Sequence, residues 1–115
     1  MTKNDVGIAV KAEFVEDLVK KFPWLEEHPK HVVAQDGKEV GTLFIVEDIN
    51  WNTVVPGELG HTVTAALNAI GEDNYLLVDA CHDYPTSDEG DKGEWHDNPW
   101  WLSKCVSVEL TYEVG

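Results

Sequence analysis

Residues 39–49 read "EVGTLFIVEDI". Leu43, Phe44, Ile45 and Val46 follow one another without a polar residue, so no side of the run faces water. A strand of this kind is central in its sheet and covered on both sides. The run is too short for a membrane span, and polar or turn-forming residues bound it. Just before it, "QDGKE" at 35–39 carries the Asp-Gly signal of a tight turn, which would join a short strand at 31–34 to this one.

Periodic segments lie on either side. Phe14, Val15, Leu18, Val19 and Phe22 share one helical face, with Glu13, Glu16, Asp17, Lys20 and Lys21 opposite, and Pro23 ends the helix. The start of this helix is ambiguous. Val6, Ile8 and Val10 alternate as in a strand, while Val6, Val10 and Phe14 fit a helix; a helix from about Asp5 is the reading adopted. "TVVPGELGHTVTAALNAIG" gives a second helix, with Leu59, Val63, Leu67 and Ile70 as its stripe, Pro56 early and Gly71 at the stop. "NYLLVDAC" is a further strand. In "CVSVELTYEV", Val106, Val108, Leu110, Tyr112 and Val114 alternate with polar residues, so 105–114 is predicted as a single half-buried strand. The result is an α+β fold: one domain over 1–115, a mainly antiparallel sheet of three to four strands, and two helices on one face.

Composition narrows the function classes. The 115 residues include 22 carboxylates against 8 basic side chains, for a net charge of -14. All the basic residues are lysines. Residues 1–46 are nearly balanced at -2, and 47–115 carry -12. Such a chain repels nucleic acid and anionic membranes, and it lacks the arginine forks that recognise phosphate. No apolar run reaches membrane-spanning length and no secretion signal is visible at the start, so a cytoplasmic location is expected. Cys81 and Cys105 read as reduced buried thiols, although spacing alone leaves a disulfide open.

The connection at 83–101 is long, acidic and aromatic, with Tyr84, Trp95, Trp100 and Trp101 among its carboxylates. Long structured loops carry function disproportionately. Zinc ligation from Cys81, His82, His96 and Cys105 has suitable residue types but no CxxC or HxxxH spacing. "DEGDKGE" offers oxygen ligands outside the EF-hand register. A Cys81 nucleophile would need His61 or His96 as base, and a strand cysteine among apolar neighbours is more simply an inert thiol. No phosphate-binding glycine loop is present. No metal and no cofactor are therefore expected. His28, His31 and His61 read as surface or helix-end residues, and Trp24 and Trp51 as core or core-edge.

Binding to another protein uses more of these features. Large rigid rings make interface anchors, and carboxylates around them steer a basic partner. The predicted partner-binding residues are Tyr84, Asp88, Glu89, Asp91, Glu94, Trp95, Asp97 and Trp100, with Trp95 the ring least explained by packing. Of the adjacent pair Trp100 and Trp101, one is expected in the core. A dense carboxylate array can stand in for a phosphate backbone, so a nucleic-acid-binding protein is one expected class of partner. Small phage inhibitors of host defence or transcription machinery are similar in size and charge, a likeness of composition alone. Two alternatives are a small metal-dependent or hydrolytic enzyme using Cys81, His82, Asp83 and His96, and a homodimer sealed by the tryptophans.

Overall fold

The computed structural model describes residues 4–51, 55–81, 91–105 and 109–114. Strand β1 spans Asn4–Lys11 and runs directly into helix α1, Ala12–Lys21. A 3-10 turn at Pro23–Glu27 leads to β2, Lys30–Gln35, and β3, Lys38–Ile49. Helix α2 covers Leu59–Ile70, and a second 3-10 turn at Glu72–Asn74 precedes β4, Tyr75–Cys81. Three short strands complete the order: β5 at Lys92–Gly93, β6 at Ser103–Cys105 and β7 at Glu109–Thr111.

The main sheet is antiparallel with the order β2-β3-β1-β4-β5, and β6 and β7 pair separately. The α+β fold of the sequence reading holds, with five strands in the sheet rather than three to four. β2 and β3 meet through Asp36 and Gly37, both at positive φ (53° and 78°), the geometry of a two-residue hairpin turn. Residues Gly41 to Val46 of β3 are all buried, as expected for a strand covered on both sides.

Residues 5–11 depart from the helix adopted for them. β1 sits between β3 and β4 and pairs with both along its length. Those ladders satisfy its backbone groups on both edges, which outweighs the helical fit of Val6, Val10 and Phe14. Alternation then sorts its side chains. Val6, Ile8 and Val10 meet Leu18 and Phe22 of α1 and Val63 and Leu67 of α2, so both helices cover one face of the sheet. The α1 stripe and its end before Pro23 stand as read. Helix α2 starts at Leu59, the first residue of its apolar stripe, so Pro56 lies in the preceding turn rather than early in the helix, and Gly71 closes it at φ 101°. Trp51 is buried in this layer and Trp24 is half-buried against Phe22 and His28.

The 105–114 strand is the second correction. Lys104 pairs with Leu110 and Cys105 with Glu109, so the two ends of the segment run antiparallel. Alternation reports which side chains are apolar, and a folded-back pair satisfies it as well as one continuous strand. Leu110 and Tyr112 do turn inward, toward the sheet face opposite the helices; Val106 and Val108 lie outside the described residues.

Tyr75, buried on the helix side, donates its hydroxyl to Asn68 Oδ1. Burial first, and the charge of Glu72 second, raise its pKa above the ordinary 10.0. The folded state therefore keeps this proton to higher pH than the unfolded chain does. Its stabilising contribution is complete below pH 10.0 and is lost as pH rises through the folded value. Tyr75→Phe is expected to cost about 0.5–1.5 kcal/mol at neutral pH. Denaturant melts should also show a shallower loss of stability above pH 10.0 for the variant than for the native chain.

Candidate functional site

The face opposite the helices is covered by residues of the 93–102 segment, with Leu110 and Tyr112. β5 pairs Gly93 with Leu76 and Lys92 with Leu77, which fastens the segment to the edge of β4. Gly93 takes φ 89°, a conformation that suits glycine, and its missing Cβ leaves room for the Tyr75 carbonyl. Glu94 N–H then donates to Glu72 O at 2.7 Å and Trp95 N–H to Tyr75 O at 3.1 Å. Asn98 is fully buried and holds the following turn. Its Nδ2 donates to Trp95 O at 2.8 Å, and its Oδ1 accepts from Leu102 N–H at 3.2 Å.

This clamp sets the fate of each tryptophan. Trp95 and Trp100 meet edge to face, with centroids 6.0 Å apart, on Ala9, Leu43, Ile45, Leu76 and Val78. Trp95 is 6% exposed and Trp100 not at all. Both were expected at a partner surface, and both are core. The reason is that β3, β1 and β4 present an apolar second face that the helices leave uncovered, and these rings fill it.

Trp101 has the opposite role. It is 62% exposed and sits at φ 50°. That region is uncommon for a bulky side chain and costs about 1–2 kcal/mol. The conformation is imposed from both sides, because Trp100 and Leu102 are buried and Trp101 N–H donates to Asn98 O at 3.1 Å. The expectation that one ring of the pair is core therefore holds, with Trp101 as the outward one. Sequence reasoning left it out of the site. The usable signal was parity: Leu102 shares its side of the chain with Trp100, which leaves Trp101 facing out.

Beside Trp101 lies an open groove of about 470 Å³, lined by Gln35, Val40, Asp97, Pro99 and the rim of Trp95. On the same sheet face a second groove of about 220 Å³ brings together Asp5, Glu47 and Glu109 around Ile45, Leu110 and Tyr112. Asp91, Glu94 and Asp97 of the predicted site are exposed. Tyr84, Asp88 and Glu89 lie outside the described residues. So do His82 and Asp83 of the enzyme alternative, along with the cysteine side chains. His96 is exposed and lies 3.4 Å from Glu94, an exposed contact that contributes little. His28, His31 and His61 are half-buried, the first two against Trp24 and Tyr112. Among the described residues no three His, Cys, Asp or Glu side chains are grouped to hold a metal, and no helix there is long and apolar enough to cross a membrane. No protein-family model, curated protein or solved structure matches the chain.

Proposed function

We propose that this protein is an acidic interaction module that docks on a basic surface of another protein, acting as an inhibitor that occupies a nucleic-acid-binding site. The observation that carries this reading is Trp101: a large ring held outward at 62% exposure, on strained backbone, beside a groove. Strained backbone persists where surrounding structure over-determines it, and such positions cluster at binding sites. An exposed aromatic at the mouth of a groove is the form that an interface anchor takes. Asp97 lines the Trp101 groove, and the separate Asp5, Glu47 and Glu109 groove, toward the other end of β3, adds charge that a lysine- or arginine-rich surface would meet. The overall charge of -14 favours the same class of partner and disfavours nucleic acid itself.

The test is quantitative capture from lysate of the source cell, with the native chain and Trp101→Ala compared. Trp101→Ala should change stability by less than about 1 kcal/mol, since the ring is mostly in water. It should weaken partner binding by about 2 kcal/mol or more. Binding of the native chain should also weaken several-fold from low to moderate ionic strength, because exposed charges are screened. Retention of the partner by Trp101→Ala, or binding indifferent to salt, would remove this reading.

A further inference from the structure

β2 forms one edge of the main sheet, and its outer side meets no described strand. Pro29 O accepts from Ile45 N–H at 3.0 Å, which marks 29 and 45 as a hydrogen-bonded pair. Bonded and unbonded pairs alternate along an antiparallel ladder. With Lys30 opposite Phe44 and His31 opposite Leu43, His31 and Val33 bond inward to β3. Lys30 and Val32 therefore turn their N–H and C=O groups outward. The ladder shifts register between Val33 and Ala34, but Gln35 opposite Lys38 closes the two-residue turn as a bonded pair, which leaves Ala34 outward as well. Val32 is 50% exposed and Ala34 is also exposed, so the open edge is apolar at two of its three outward positions. Natural sheets protect such edges, because unpaired backbone groups template another strand.

We propose that two copies of this chain join by antiparallel pairing of their β2 edges about a two-fold axis at Val32, making one sheet continuous across both copies. The outward positions are symmetric about that residue. Val32 meets its own counterpart, and Lys30 meets Ala34 of the second copy in both directions. Every outward donor then faces an outward acceptor. The charges choose the occupant. β2 contains no carboxylate and its only formal charge is Lys30, already paired with Glu26. A basic strand from another protein would find no acid among the outward residues. A two-fold axis at Lys30 would set lysine against lysine, which destabilises a strand pair. The axis at Val32 opposes lysine to alanine and brings the two exposed valines together. It also uses a strand that carries no carboxylate on a molecule whose net charge is -14, which limits mutual repulsion at the seam. Lys30, Val32 and Ala34 do not line the Trp101 groove, although Gln35 of the same strand does, so the two associations are told apart by their response to salt.

The two can be separated by salt. Screening relieves repulsion between like-charged copies, so the dimer should strengthen as ionic strength rises, opposite to basic-partner binding. Sedimentation equilibrium of the full chain from micromolar to millimolar concentration should show a shift from monomer to twice that mass. The Val32 amide, which has no bonding partner in β3, should exchange with deuterium more slowly as concentration rises. Val32→Pro removes only an outward N–H and should leave the fold intact while abolishing the dimer. Val32→Lys keeps the backbone donor and sets like charges face to face, so it should also be monomeric. A native chain that stays monomeric throughout would overturn the proposal. So would a dimer that survives both substitutions, one that dissolves with added salt, or a Val32 amide whose exchange ignores concentration.

Discussion

Trp100→Ala is expected to lower the unfolding free energy by about 3–5 kcal/mol, the usual cost of truncating a buried tryptophan. The side chain is fully buried, stands edge to face with Trp95, and rests on residues of three strands. Removing it leaves a void between the sheet and its second covering layer that Asn98 and the β5 ladder keep from closing. Against a typical domain stability of about 5–15 kcal/mol, such a loss brings the fold near its limit. Trp95→Ala should cost a similar amount. The double variant should lose less than the sum of the two, by about 0.5–1.5 kcal/mol, because the ring pair is broken only once. Urea melts of the two single variants and the double variant measure all three quantities. A cost below about 1 kcal/mol for Trp100→Ala would mean that this layer is not core.

Much of the fold can be read from local pattern. The unbroken Leu43–Val46 run marks a strand covered on both sides, Asp36-Gly37 marks the hairpin, and the stripes of α1 and α2 mark their buried faces. What local pattern lacks is knowledge of neighbours. β1 is a strand because β4, far along the chain, supplies its second ladder; nothing within residues 4–11 displays that partner. Trp95 and Trp100 are buried because a second sheet face needs cover, and the polar residues between them, His96, Asp97 and Asn98, disguise the role. Asn98 is similar: an asparagine beside a proline reads as a turn residue, and its burial as a clamp on both Trp95 and Leu102 depends on tertiary placement. The exposure of Asp91, Glu94 and Asp97 follows from their charge and could be expected from sequence. The rings expected at the surface, Trp95 and Trp100, are buried, and Trp101 is the exposed one because its two neighbours, Trp100 and Leu102, are buried.

Glycine supplies the other large effect, at positions no periodicity analysis marks. Gly41→Ala should destabilise the protein by about 3 kcal/mol or more, at the upper end of what a single added methyl costs. A Cβ at this position would lie 2.5 Å from Val10 O and 2.9 Å from Cη2 of Trp95. The indole could tilt, but the carbonyl cannot retreat, because β1 is held by ladders to β3 on one side and β4 on the other. Gly7 makes an informative contrast. The three atoms nearest its Cβ would all belong to the Leu102 side chain, with Cδ1 at 2.7 Å, and a side-chain end can rotate away. Gly7→Ala should therefore cost about 1–3 kcal/mol, and combining it with Leu102→Ala should give strongly less than additive losses, since the truncation clears the space. Gly41→Ala combined with Trp95→Leu should stay close to additive, because the Val10 carbonyl remains where it was. Denaturant melts of both pairs separate the two mechanisms. Full recovery of Gly41→Ala by the smaller residue at 95 would show that the aromatic layer, and not the β1–β3 backbone spacing, requires glycine there.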